Sequence, residues 1–298
     1  MTPSADPPSG VALWLAGARP RTLPAAVAPV LAGTAVAAHV DGAIWWKALL
    51  ALVVSLALQV GVNYANDYSD GIRGTDDDRV GPLRLVGSGL ASPWAVKLAA
   101  FAAFGVAALT GLVLAVTTEW WLVGVGLVSI LAAWFYTGGR SPYGYRGLGE
   151  VMVFVFFGLV AVVGTTYVQT ETSQWPALYA GVGIGALACA ILVVNNLRDL
   201  ESDRAVGKRT LAVALGPERT RGLYALLVLA AAAAVVAVAA ATSWWVLVGL
   251  GFLLRLVAPL RTVLGGATGP ALVPVLQQTG LAELAWAVLV AVPLVLTR

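Results

Sequence analysis

Two stretches of this sequence gather oxygen-bearing side chains at spacings that suit cation and phosphate chemistry. Residues 63–79 read NYANDYSDGIRGTDDDR, and residues 195–209 read NNLRDLESDRAVGKR. In each, an amide precedes carboxylates at helical spacing: Asn66 and Asp70 are four apart, as are Asp199 and Asp203. Residues four apart share a helix face, so each pair presents its oxygens to one point. Carboxylates clustered beside a low-dielectric interior repel one another and disfavour ionisation unless cations join them. Mg²⁺ suits such a site, because it takes one or two carboxylates and completes its shell with water and phosphate oxygens. The expectation is two Mg²⁺ ions bridging a diphosphate, with Asn66, Asp70, Asp199 and Asp203 as ligands. Arg73, Arg79, Lys208 and Arg209 are interleaved with the acids and can pair with the same phosphates. Asn63 and Asn195, which open the two motifs, are candidates for substrate contact.

The elements that must position these groups are membrane helices. The 298 residues are 59% hydrophobic and 11% charged, with a mean hydropathy of +0.86; soluble domains carry about 25% charged residues. Segments 98–118, 151–169, 175–197 and 222–254 hold no charge, and about 18 such residues suffice to cross the hydrocarbon layer. Lipid offers no partner to backbone groups, so spans are helices or closed barrels, and continuous apolar runs select helices. The reading is an all-α integral membrane bundle of about nine transmembrane helices, near 22–40, 45–65, 93–116, 120–137, 148–168, 176–197, 221–241, 244–263 and 279–297. An even number of spans separates the motifs, so both emerge on one face. Helix two with its loop resembles helix six with its loop, which suggests two pseudo-repeated halves around a central cavity.

Of the 18 Lys and Arg residues, all but Lys47 and Arg298 adjoin loops on the motif side. The positive-inside rule makes that side, and the N-terminus, cytoplasmic, in a multi-pass protein of the cell membrane. Trp45, Trp46, Trp120, Trp121, Trp175, Trp244 and Trp245 fall on the other face, as an aromatic belt does. Residues 1–18 read as a tail followed by a short interfacial helix, and residues 19–298 as one transmembrane domain. A net charge of +3 gives no reason to expect a nucleic-acid partner. Cys189 and His39, the single cysteine and histidine, have structural readings, within a span and at a span end.

Two other membrane chemistries use similar residues. CDP-alcohol phosphatidyltransferases pair aspartates with Mg²⁺, but their pattern needs Ala-Arg and a trailing GxxxDxxxD after the opening that Asp67, Asp70 and Gly71 match. Cation transporters place acids at mid-membrane; here Glu283 is the main acid away from a span end.

The motifs resemble the UbiA superfamily of intramembrane aromatic prenyltransferases, and within it the 1,4-dihydroxy-2-naphthoate polyprenyltransferase family. The likeness runs through GARPRTLPAAVAPVLAGTA from Gly17, the Asn63 motif, YTGGRSPYGYRGLGE from Tyr136 and NNLRDLESDRAVGKRTLAVALG from Asn195. The resemblance implies Mg²⁺-dependent transfer of a polyprenyl chain from its diphosphate to 1,4-dihydroxy-2-naphthoate, with loss of diphosphate and CO₂, in menaquinone synthesis. It implies catalytic roles for Asp70, Asp199 and Asp76, the last assisting deprotonation of the acceptor or equally ligating the metal. Arg19 or Arg21 would meet the acceptor carboxylate, and Tyr136, Tyr143 and Tyr145 lie at the same end. Trp134, Phe135, Phe154, Phe156 and Phe157 offer further aromatic faces for an allylic cation.

Overall fold

The structure is a computed structural model that describes residues 9–74 and 83–298. Among these the regular elements are all helical: α1 (Val11–Ala18), α2 (Pro24–His39), α3 (Trp45–Gly71), α4 (Pro93–Val116), α5 (Trp121–Phe135), α6 (Gly149–Thr170), α7 (Trp175–Arg198), α8 (Leu200–Ala205), α9 (Leu211–Ala241), α10 (Trp244–Leu264) and α11 (Gly269–Leu296). Seven of them are long and apolar enough to cross a membrane. Helix α2 is bent by 53° from the segment that carries α1, and α5 is apolar but has 15 residues. Among the described residues there are thus seven spanning helices, or eight if the bent α1–α2 pair is one span, near the nine read from the sequence, with α5 a shorter apolar helix; the protein is a multi-pass membrane protein.

Local signals set the ends. Proline opens α2 and α4, where a missing N–H costs nothing. Ser92 caps α4 by accepting from the Ala95 N–H at 3.3 Å, and Thr210 caps α9 by accepting from Val213 at 3.4 Å. Three boundaries differ from the sequence reading. Helix α3 runs on to Gly71, so Asn66 and Asp70 are helical rather than in a loop. Helix α9 starts at Leu211 and is broken at Gly216, whose φ of 77° and ψ of 169° leave the helix just before Pro217. Helix α11 begins at Gly269, ten residues ahead of the expected start at residue 279. In each case polar or glycine-bearing turns continue the helix where hydropathy alone would stop it.

Helix α7 is central: 72% of its apolar window is buried, against 28% for α4 and α6. The main apolar core joins α2, α7, α9, α10 and α11, and a second cluster joins α1, α3, α4 and α5. The two halves are therefore unequal, with α2 drawn onto α6 and α11. Leu109, Leu229 and Leu254 stand exposed on the outside, as lipid contact requires.

Helix α3 is the rod that links the two faces. Lys47 and Asp70 lie near its opposite ends, about 35 Å apart at 1.5 Å per residue. The buried Lys47 ammonium donates to the Thr117 carbonyl (3.0 Å), Thr118 Oγ1 (3.0 Å) and Glu171 Oε1 (3.2 Å), so it latches α3 to the α4–α5 and α6–α7 turns. Lys47→Ala is expected to lower stability in detergent by about 1–3 kcal/mol, because the carbonyl and hydroxyl lose a charged donor. An unchanged melting temperature would show the latch to be idle.

Candidate active site

The last turns of α3 hold the first motif. The fully buried Asp67 accepts from the backbone N–H groups of Leu85 (2.8 Å) and Val86 (3.0 Å), so it folds the returning chain onto the helix. Asp70, one turn on, accepts a hydrogen bond from the Tyr145 hydroxyl. Its carboxylate also stands 3.6 Å from Lys208 Nζ and 4.0 Å from Arg84 Nη2. Asn66 Oδ1 accepts from Thr137 Oγ1 at 2.8 Å.

The second motif turns from α7 into α8. Arg198 grips its neighbour Asp199 through both carboxylate oxygens, at 2.6 and 2.7 Å, and donates to Asn195 Oδ1 at 2.9 Å. Asp203 lies 4.0 Å from Lys208 Nζ. The turn at Gly207, with φ of 75°, lets the Lys208 N–H return to the Asp203 carbonyl at 2.8 Å. Lys208 is thus close to one carboxylate from each motif, and the motifs converge there. Asp70 and Asp203 can be no further apart than those two distances added together.

A cavity of about 750 Å³ opens at this point. Asn66, Asp70, Arg84, Tyr145, Asn195, Arg198, Asp203 and Lys208 line it at the polar end, and Arg19, Arg21 and Tyr136 are also on its wall. Ala25, Val153, Phe157, Ala188, Ile191, Leu192, Val273 and Leu276 give it an apolar face, with Thr22, Gln59 and Gln277 also on the wall. Of the aromatic candidates, Tyr136, Tyr145 and Phe157 line the cavity.

Arg19 sits in a left-handed turn, φ 53° and ψ 69°, between α1 and α2. Thr22 Oγ1 donates to its carbonyl at 2.9 Å. Asn63 braces the same turn, with Nδ2 donating to the Ala18 carbonyl (2.9 Å) and to Thr22 Oγ1 (3.0 Å). Asn63 therefore holds the arginine turn instead of facing the cavity. Backbone conformations this sparsely populated persist where the surroundings over-determine them.

Other expected contacts fall elsewhere. Arg73 donates to the carbonyls of Thr137 and Gly139, each at 2.6 Å, so its guanidinium fastens the segment after α5. Tyr143 is packed edge-on to Tyr136 and donates to the Ala132 carbonyl at 2.7 Å; burial pushes its hydroxyl above the usual phenol range. Arg209 is exposed, and its backbone N–H donates to the Tyr145 carbonyl at 3.1 Å. Asp199 is off the cavity wall, engaged by Arg198. Asp76 and Arg79 lie outside the described residues. Among the described residues, no three His, Cys, Asp or Glu side chains gather closely enough to hold a metal by themselves. What converges is two carboxylates, Asp70 and Asp203, with the amides of Asn66 and Asn195 on the same wall. That set leaves much of any cation's shell to water and ligand oxygens.

Tyr145, marked in the sequence only as an aromatic at the motif end, is the hub. Lys208 (4.4 Å to the centroid) and Arg73 (5.4 Å) both lie over its ring, while its hydroxyl holds Asp70. Arg84 was not marked as a site residue. Both reach Asp70 from distant or irregular segments, so no short spacing announces them. Glu150 adds support from behind, accepting from Asn196 Nδ2 at 2.9 Å. Glu283, fully buried in α11, is not part of the cavity wall.

The model of the UbiA prenyltransferase family matches residues 26–263. The chain belongs to the UbiA prenyltransferase family. Curated UbiA relatives include the 1,4-dihydroxy-2-naphthoate octaprenyltransferase of Mycobacterium tuberculosis, 55% identical over 94% of this chain and 96% of its own length. The enzyme of the same name from Escherichia coli is 41% identical over 72% of each chain. Among solved structures, a UbiA homolog from Aeropyrum pernix superposes with a TM-score of 0.72 over 90% of this chain and 97% of its own, at 14% identity. A UbiA homolog from Archaeoglobus fulgidus, solved with GPP and Mg²⁺, gives 0.63 over 95% and 99%, also at 14%. These likenesses support the UbiA fold. Family membership sets aside the phosphatidyltransferase and transporter readings.

Asp67 and Asp70 are near neighbours with different work, and substitution should separate them. Asp67→Asn, which keeps one acceptor and loses the charge, is expected to cost about 1–3 kcal/mol of stability. Asp70→Asn is expected to leave the melting temperature within a few degrees. Equal destabilisation by both would mean that Asp70 too is structural.

Proposed function

We propose that this chain transfers a polyprenyl group from its diphosphate to 1,4-dihydroxy-2-naphthoate, releasing diphosphate and CO₂, as a step in menaquinone synthesis. The observation that carries the reading is the meeting of two distant acidic motifs at Lys208, on the wall of a cavity that also has an extended apolar face. Such a cavity fits a molecule that is anionic at one end and hydrocarbon at the other. The acceptor is supported by the name that the relatives carry at 55% and 41% identity.

The donor set fits Mg²⁺, since Asn66, Asp70 and Asp203 offer hard oxygens and leave positions for phosphate. These residues, with Asp199 if Arg198 releases it, would hold the metal, two ions being the expected number. When bound, Mg²⁺ supplies charge neutralisation for the departing diphosphate. A relative's structure with GPP and Mg²⁺ supports that use.

The chain's own residues do the rest. Lys208, Arg84 and Arg198 place three cationic side chains on the wall around the diphosphate position, so negative charge that develops on the leaving group meets preset partners. Tyr145 keeps Asp70 oriented and keeps Lys208 over its ring. Arg19 and Arg21 face the same cavity and are suited to the acceptor carboxylate. The donor C–O bond breaks, the ring carbon forms the new C–C bond, and CO₂ leaves from that carbon. Asp76 would assist at the acceptor hydroxyl. The positive-inside asymmetry supports a cytoplasmic active-site face in the plasma membrane.

Purified protein in nanodiscs, given Mg²⁺, a polyprenyl diphosphate and labelled naphthoate, is expected to form prenylated product and CO₂ together, and EDTA is expected to stop both. Asp70→Ala and Asp203→Ala should each lower kcat by about 100-fold or more while the fold persists. Lys208→Met should chiefly raise the KM for the donor. A preference for a different aromatic acceptor, or full turnover in EDTA, would refute the assignment.

A further inference from the structure

The cavity wall is graded along two helices. On α7, Ala188, Ile191, Leu192 and Asn195 line it, spaced so that one face runs from the polar end into the apolar end. On α6, Val153 and Phe157 do the same. Gly149 begins that face beside Tyr136: a Cβ built there would lie 3.5 Å from the Tyr136 hydroxyl and 3.3 Å from Leu192. Phe157 is therefore about 12 Å further in along the helix axis.

Phe157 stands four residues after Val153 on this face, within a π-helix that spans Phe154–Val160 of α6, a wide turn that is rare and often marks functional positions. The same stretch makes a close contact with α7. A Cβ on Gly158 would fall 2.6 Å from the Gly181 carbonyl oxygen and 2.6 Å from Gly185 Cα. A Cβ on Gly185 would fall 2.9 Å from the Phe154 ring and 3.0 Å from the Phe154 carbonyl oxygen. The two backbones touch, which small residues four apart permit in membrane helices. Phe154 is spent on Gly185, Phe156 is off the cavity wall, and Phe157 is turned onto it.

We propose that Phe157 is a specificity-determining residue for the prenyl donor: the isoprene units nearest the diphosphate lie against its ring, and the bulk of that ring sets how much chain fits past it. This rests on the prenyl-transfer reading above. The chemistry of the wall favours the donor over the acceptor at this depth. On this α6 and α7 face Val153, Phe157, Ala188, Ile191 and Leu192 offer no side-chain hydrogen bond, and the polar side chains Gln59 and Gln277 come from α3 and α11. A ring carrying two hydroxyls and a carboxylate finds no partner on that face, whereas a hydrocarbon chain needs none.

The test uses the full chain in nanodiscs with dimethylallyl, geranyl, farnesyl and geranylgeranyl diphosphates. Phe157→Trp is expected to lower kcat/KM for the farnesyl and geranylgeranyl donors at least ~10-fold relative to the dimethylallyl donor. Phe157→Ala is expected to narrow the differences between donors. In both, the KM for the naphthoate should stay within about twofold, a split that general loss of structure would not produce. A second measurement needs no turnover. A photoreactive benzophenone side chain at position 157 should crosslink to radiolabelled farnesyl thiolodiphosphate, and the same group at position 156 should not. Crosslinking at 156 as strong as at 157, unchanged donor selectivity, or a shift in the naphthoate KM alone would overturn the proposal. Crosslinking at 157 in a protein that never prenylates naphthoate would uphold this inference and reject the acceptor.

Discussion

Negative charge has to be held at the edge of a membrane interior, and this constraint shapes everything around it. Asp70 and Asp203 are both nearly inaccessible to solvent, and a buried carboxylate without a partner is costly. Lys208 stands near both and Arg84 near the first. The second motif reaches this arrangement through a tight glycine turn, the first through a helix that overruns its apolar part. Tyr145, with Arg73 and Lys208 both over its ring, then ties the segment after α5 to both motifs. Removing any one of these partners leaves another charge exposed to a poor dielectric, so the polar end behaves as a unit.

The apolar half of the site follows from a different constraint, that of close helix approach. Helix α7 is buried along most of its length and must accept α6 on one side and α11 on another. It does so with glycines on separate faces: Gly181 and Gly185 meet α6, and Gly183 meets Trp286 of α11. Side chains too large for these contacts are displaced toward the cavity or the lipid. The shape of the hydrocarbon channel is thus a by-product of where backbone touches backbone.

Much of this was legible in the sequence, and the reason is locality. Spans are written as uncharged runs, and metal-type carboxylate pairs as a spacing of four, so the bundle and the pairs Asn66/Asp70 and Asp199/Asp203 could be read within short windows. What the windows missed depends on chain that returns from far away. Asp67 is a brace because Leu85 and Val86 come back to it, and Arg73 is a clamp because Thr137 and Gly139 do. Tyr145 is important only because 75 residues separate it in sequence, and none in space, from Asp70. Asn63 looked like a ligand for substrate but serves the Arg19 turn. The π-turn could not be foreseen in an apolar run, nor could the meeting of Gly158 with Gly181 and Gly185 within it.

Helix α3 is proline-free from Trp45 to Gly71 and is anchored at one end by Lys47 and at the other by the groups around Asp70. A rod of this kind can lean but has no hinge at which to fold. Its inclination is set by the helices it packs against and by the anchors at its two ends, so the Lys47 latch and the Asp70 carboxylate are two ends of one rigid piece, while Asp203 hangs from a different helix.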